Sequence, residues 1–249
     1  MRLAALYDIH ANLPALEATV AAVEQQGVEL IVIGGDVLPG PMPSETLEYL
    51  RSLAIPTVYL RGNGDREVLA VRAGGMPHAV PERFHSMPRW VADQLSDDQV
   101  HWIEEWPATV QLHLPALGAV RFCHATPQSD TELLTVSSSD ALLRRLFAHE
   151  SADVVVCGHA HMQFVCDFAG LWIINAGSVG MAVGVGGAKW LLLDERAALQ
   201  RTANDRAPAA ERIRATRYPL AEEFAKSSVL VPQESSTVLE ALTRAAEAQ

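Results

Sequence analysis

The chain has 249 residues, 49% of them apolar and 20% charged, the balance of a folded globular protein and enough length to bury a large core. Its net charge of −11 argues against a protein whose main task is gripping long nucleic acid, which requires a basic footprint. Three cysteines, Cys123, Cys157 and Cys166, are too few for a disulfide scaffold and read as buried thiols.

Residues 2–7 form an apolar run that Asp8 and His10 interrupt too early for a signal peptide, so the segment reads as a buried strand and the protein as cytoplasmic. No run approaches the ~18–20 apolar residues of a membrane span. Residues 13–26 carry apolar side chains at helical spacing, with Asn12 as N-cap and Gly27 as stop. The run "VELIVIGGD" is a strand, residues 43–53 a helix with Ser44 as a candidate cap, and "IPTVYL" a strand ahead of "RGNGD". Strands and helices alternating through short links imply parallel strands with right-handed crossovers.

Residues 66–107 break this rhythm with a Pro- and Gly-rich stretch and the capped helix "SDDQVHWIEEWP". This is either a helical insertion packed by Trp90, Trp102 and Trp106 or a lid over a substrate cleft. Two strands follow over 108–123, then a helix over Ser139 to Glu150 and a strand in "ADVVVCGHAH". A strand pair turns at Ala169-Gly170, and "KWLLLD" reads as a last strand. Short links make many of these later strands antiparallel. The extension over 196–249 contains an expected strand at Arg217 to Leu220 and a helix over Ser236 to Glu247, and reads as an edge-covering element or a dimer contact.

Polar residues mark the ends of the apolar runs: Asp8 and His10, Asp36, Asn63, His124, then His159 and His161. Ligands of open α/β sheets collect at the carboxyl ends of strands, so separate strands deliver this set to one edge. Imidazole and carboxylate groups suit Mn, Fe, Zn, Co or Ni. Two such ions ~3.5–4 Å apart clamp the attacking and leaving oxygens of a phosphoryl displacement. Each element alone is weak; the ordered set carries the signal.

The order "DIH … GGD … GN … H … GHAH" resembles the calcineurin-like metallophosphoesterase family over about residues 1–195, and "DIHANLPALEA" and "NAGSVG" look like motifs of its small bacterial and archaeal phosphodiesterase branch. The resemblance implies an α/β protein built as a four-layer α/β/β/α sandwich, with two divalent ions, often Mn, at one edge. Carried over by position, Asp8, His10 and His161 would hold the first ion, Asn63, His124 and His159 the second, and Asp36 would bridge them. The family's usual Gly-Asn-His-Glu or Gly-Asn-His-Asp becomes Gly62-Asn63-Gly64-Asp65 here, so Gly64 replaces the histidine that protonates the leaving group. The branch often carries Cys there, so the loss need not abolish activity. Ala176 stands where the branch has Pro, which leaves that turn looser.

His78 and His85 are candidates for a substitute acid, set against a reading as ordinary loop histidines. Arg66 is a candidate phosphate contact, or a partner of Asp65 or Glu67. Ser178 is expected to bond backbone. The function expected is a dinuclear metal-dependent phosphodiesterase in which a hydroxide between the ions attacks phosphorus. The alternatives are a phosphomonoesterase or nucleotide hydrolase, and a metal-binding scaffold of little activity. The expected partner is a small phosphoester, nucleotide-derived compounds included, and a homo-oligomer is left open.

Overall fold

The computed structural model describes residues 1–77, 82–184, 186–231 and 235–248. The first sheet contains β1 (Leu3–Leu6), β2 (Leu30–Gly34), β3 (Thr57–Leu60), β9 (Ala188–Leu193) and β10 (Ala197–Thr202), in the order β10-β9-β1-β2-β3. β1, β2 and β3 pair in parallel, joined by helices α1 (Leu13–Gln25) and α2 (Pro43–Arg51), whereas β9 runs antiparallel to β1 and β10. The second sheet contains β4 (Thr109–Leu114), β5 (Gly118–Cys123), β6 (Val154–Cys157), β7 (Phe164–Phe168) and β8 (Leu171–Asn175), in the order β4-β5-β6-β8-β7. β5, β6 and β8 are parallel there, so the late strands are more mixed than their short links imply.

Alternation along the strands makes two faces of each sheet. Leu3, Ala5 and Tyr7 meet Phe122, Val154, Val156 and Ile174 between the sheets. Ala4 and Leu6 face outward instead, onto a core shared with α1, α2 and α7 (Arg206–Arg214). On the far side, Cys123, Val155, Cys157 and Ile173 pack against α6 (Asp140–Phe147) and Ala246 of α9 (Ser235–Glu247). Helices, sheet, sheet and helices therefore stack as the expected α/β/β/α sandwich.

Several expectations change in detail. Ser44 does not cap α2; Met42 stands at that position, and the Ser44 hydroxyl donates to the Gln94 carbonyl at 2.7 Å. β9 is not the last strand, because β10 follows it across a tight turn. Arg217 to Leu220 is a turn, not a strand, leading into α8 (Ala221–Phe224) and a π-helical stretch over Ala225–Leu230. Cys166 is only half-buried, unlike Cys123 and Cys157. The Ala176 N–H donates to the Cys157 carbonyl at 2.8 Å, a bond proline lacks the hydrogen to make.

The segment after β3 folds into α3 (Asn63–Arg72), α4 (Ser86–Gln94) and α5 (Asp97–Glu104). Ser96 accepts from the Gln99 N–H at 3.2 Å, and the Gln99 side chain accepts back from the Ser96 N–H at 3.1 Å. Tyr59, Trp102 and Trp106 cluster with ring centroids 4.9–5.2 Å apart, and Trp90 meets Tyr218 at 5.5 Å. These helices pack onto the outer core of the first sheet. No helix among the described residues is long and apolar enough to cross a membrane.

Candidate metal centre

The seven residues marked in the sequence converge at one edge, beyond the carboxyl ends of β1, β2, β3, β5 and β6. Asp8, His10 and His161 form one group whose ligand atoms all lie within 4.8 Å of one another; Asp36, His124 and His159 form another. Asp36 faces both: Oδ2 lies 3.8 Å from His10 Nε2, and Oδ1 lies 3.5 Å from His124 Nε2. Asp8 Oδ1 lies 3.3 Å from His161 Nε2 and 3.9 Å from His124 Nε2.

The backbone is bent sharply to achieve this. Asp8, His10, Asp36, His159 and His161 have φ of 53°, 47°, 49°, 64° and 56°. Non-glycine residues in this region cost of order 1–3 kcal/mol each and cluster at functional sites. Local bonds hold the bends: Asp8 N–H donates to the Gly35 carbonyl at 3.1 Å, His10 N–H to the Asp36 carbonyl at 2.9 Å, and His159 N–H to Asp8 Oδ2 at 2.9 Å.

All four histidines are oriented alike. His10 Nδ1 lies 3.3 Å from the Pro39 carbonyl, His124 Nδ1 3.0 Å from that of Gly34, His161 Nδ1 3.1 Å from that of Met181, and His159 Nε2 3.2 Å from that of Thr131. A carbonyl can only accept, so each of these nitrogens carries the proton. The other nitrogen of each ring then turns to the interior, where its lone pair is available to a cation whenever it carries no proton. Nε2 of His10 and Nε2 of His161 sit 3.1 Å apart, an arrangement two lone pairs tolerate only with a proton or a cation between them. Asn63 Oδ1 lies 3.0 Å from His124 Nε2; with the amide reversed, its NH2 would face His124 Nε2 at 3.0 Å and His159 Nδ1 at 3.1 Å. A metal would restore the oxygen-inward orientation.

Asp8 Oδ1 is buried with no hydrogen-bond partner, a costly state for a carboxylate without a nearby cation. Burial pushes Asp36 up to about 6, His10 down to about 3 and His159 down to about 4. Burial also acts to lower His124, but Asp36 and Asp8 outweigh it and the imidazole is raised. Strand-end carboxylates, imidazoles turned lone-pair inward and an orphaned carboxylate oxygen fit divalent cations of the borderline class.

Supporting residues surround the set. Asp65 is fully buried and accepts from Leu38 N–H and Gly62 N–H, both at 2.9 Å, tying the turn after Asp36 to the turn before Asn63. Ser178 Oγ donates to the Asp8 carbonyl at 2.8 Å, so it bonds backbone as expected. Asn175 Nδ2 donates to the Gly158 carbonyl at 2.6 Å and steadies the "GHAH" turn. Asp65 followed Gly64 in plain view in the sequence, but its role depends on two distant N–H groups that no local pattern displays.

Arg66 is engaged by Asp130, with contacts of 2.7 and 3.1 Å, and by Glu67 at 3.1 Å, not by Asp65. His85 lies at the start of α4, beside Arg89 and Trp90 rather than among the candidate ligands. His78 lies outside the described residues. Pockets border the candidate ligands among the described residues. One, of about 330 Å³, adjoins His124; another, of about 230 Å³, joins His159 and His161 to Val238 and Leu242 of α9.

A family model described as the calcineurin-like phosphoesterase superfamily domain matches residues 1–197. The uncharacterized protein MJ0912 of Methanocaldococcus jannaschii is 24% identical over 217 residues, spanning 78% of this chain and 83% of its own. Phosphodiesterase YfcE of Escherichia coli is 36% identical over 77 residues, 27% of this chain and 42% of its own. Among solved structures, the hypothetical protein PH1004 from Pyrococcus horikoshii OT3 superposes with a TM-score of 0.76 at 15% identity, covering 93% of this chain and 99% of that one. A metallophosphoesterase from Sphaerobacter thermophilus gives 0.69 at 22% identity, covering 91% and 97%. The matched span contains every candidate ligand at the strand ends the fold provides, and the chain belongs to the calcineurin-like phosphoesterase superfamily.

Proposed function

We propose that the protein is a dinuclear metal-dependent phosphodiesterase. The observation that carries this is the shared orientation of the four histidines, each using its outer nitrogen on a main-chain carbonyl and turning the other inward. Asp8, His10 and His161 would hold one ion, Asn63, His124 and His159 the other, with Asp36 between them. Bound divalent ions supply an activated water and neutralise phosphoryl charge; Mn is the first choice, with Fe, Zn, Ni or Co also compatible with this donor set.

The chain's own part is positioning. The backbone bends at Asp8, Asp36 and His159 fix where the carboxylates and imidazoles point. Gly64 places a main-chain N–H, 2.6 Å from Asp36 Oδ1, where the family carries an acid. A general acid contributes roughly 10²- to 10⁴-fold, so its loss favours esters with good leaving groups and leaves the rest of catalysis in place. The name of the E. coli relative supports a diester over a monoester, and a small phosphoester is the substrate class we favour.

The test is hydrolysis of bis-(p-nitrophenyl) phosphate beside p-nitrophenyl phosphate, by metal-stripped protein given Mn²⁺, with Asp36→Asn as control. Faster cleavage of the diester, lost in the variant, supports the proposal. Faster cleavage of the monoester shifts the assignment to a phosphomonoesterase, and no cleavage by metal-loaded protein leaves a scaffold.

A further inference from the structure

The pocket of about 330 Å³ beside His124 is lined by Arg61, Arg66, Thr109, Thr126, Ser129 and Asp130, among others. Two of its walls come from the chain entering and leaving the Asn63 turn, so the pocket opens directly against the second ligand group. Its two arginines differ in their surroundings. Arg66 is neutralised by Asp130, which grips it through both carboxylate oxygens, and by Glu67. Arg61 has no carboxylate within ion-pair distance among the described residues; its guanidinium meets only the Glu104 carbonyl, at 3.4 Å.

Arg2, Arg51, Arg66, Arg72, Arg121, Arg145, Arg212 and Arg214 pair with a carboxylate; Arg61 is among the arginines that do not, and of those it is the one that lines this pocket. Arg61 is also held in place: its own N–H donates to the Pro107 carbonyl at 2.9 Å, fixing the end of β3 from which the side chain departs. Asp130 is the acidic residue on the pocket wall, and its charge is cancelled by Arg66. Arg61 is therefore the lining guanidinium left without a carboxylate partner, a planar fork of donors that matches phosphate oxygens.

We propose that this pocket binds a second phosphate of the substrate, carried on one arm of the ester away from the reacting phosphorus, with Arg61 as the residue that selects for it. The proposal rests on the phosphoesterase reading and narrows it to substrates bearing two phosphate groups, one reacting and one recognised. Neutral-armed diesters such as bis-(p-nitrophenyl) phosphate leave the pocket unfilled.

The test is calorimetric binding of AMP, ADP and adenosine 3′,5′-bisphosphate to the Mn-loaded protein and to Arg61→Met, which keeps an apolar stem and removes the charge. Arg61→Gln replaces it where Arg61→Met fails to fold, as judged by thermal melting. The expected result is that ADP or adenosine 3′,5′-bisphosphate binds the unaltered protein about tenfold or more tighter than AMP, and that this advantage shrinks to within about twofold in the variant. An advantage that is absent from the unaltered protein, or that survives in the variant, overturns the proposal. Because the readout is binding, the two readings fail separately. Absence of diester turnover with the Arg61-dependent advantage intact removes the phosphodiesterase assignment and leaves the subsite.

Discussion

The backbone N–H of Gly64 donates to Asp36 Oδ1 at 2.6 Å, so the main chain at position 64 holds the carboxylate we propose as the bridge. A Cβ on Gly64 would lie inside contact distance of the Leu38 carbonyl, 2.9 Å from Pro39 Cδ and 3.0 Å from Asp36 Oδ1. The turn after Asp36 therefore occupies the space that a side chain at position 64 needs. Placing a histidine there by Gly64→His is expected to lower diester turnover by about tenfold or more, because overpacking against main chain displaces Asp36. Gly64→Ala gives the same direction of change. A rise in turnover with Gly64→His contradicts this account.

Asp65 acts at one remove from the candidate metal ligands. It joins the Leu38 and Gly62 N–H groups, and through them the segments carrying Asp36 and Asn63. Asp65→Ala leaves both donors without their acceptor and is expected to lower Mn²⁺ affinity about 10- to 100-fold. Asp65→Asn retains one acceptor oxygen and falls between the two. Metal titration followed by calorimetry measures both, and unchanged affinity in Asp65→Ala removes the positioning role.

Ser178 separates a structural hydroxyl from a catalytic one. Its Oγ donates to the Asp8 carbonyl at 2.8 Å and accepts from the Met181 N–H at 2.7 Å, while the Met181 carbonyl accepts from His161 Nδ1. Ser178→Ala is expected to cost about 1–3 kcal/mol of stability, a fall of several degrees in Tm, while turnover of the metal-loaded protein stays within about tenfold. Complete loss of turnover at unchanged Tm would point to a nucleophile.

The metal-free protein should respond to pH in a defined direction. Asp36 is raised to about 6 and Asp65 to about 7, both mainly by burial. For His161, burial acts to lower the pKa, but Asp8 outweighs it; it is raised, as is His124. All four hold protons in the fold that the unfolded chain has released, so stability falls as pH rises through their folded pKa values. His10 and His159, pushed down to about 3 and about 4, act the opposite way, but their effect is complete by about pH 6.5, the unfolded value. Between about pH 6.5 and 8 the Tm of metal-free protein is therefore expected to drop, and the rise in Tm on adding Mn²⁺ to grow, since metal binding replaces those protons. A metal-free Tm that is flat or rising over this window contradicts the electrostatic picture.

The candidate ligands were legible because they end apolar runs, and a strand's end is visible as a change from Val, Ile and Leu to Gly, Asp and His. β1, β2, β3 and β6 announce themselves this way, as does Asn12, whose side chain accepts from Ala15 N–H at the head of α1. Arg217 to Leu220 misled because a short alternation of polar and apolar residues also suits a turn that places Tyr218 against Trp90. β10 was hidden for the reverse reason: "AALQRT" has strong helix formers, and its strand identity comes from pairing with β9. The histidine orientations and the strained φ angles depend on carbonyls contributed by distant loops, which no local pattern encodes.

The most direct test of the central claim is the number of metal ions held per chain. Stripped protein reconstituted with Mn²⁺, desalted and analysed by elemental mass spectrometry should carry two ions per chain, with His161→Ala and His159→Ala each retaining about one. One ion or none in the unaltered protein, at concentrations where the fold is intact, would contradict the dinuclear centre on which the account rests.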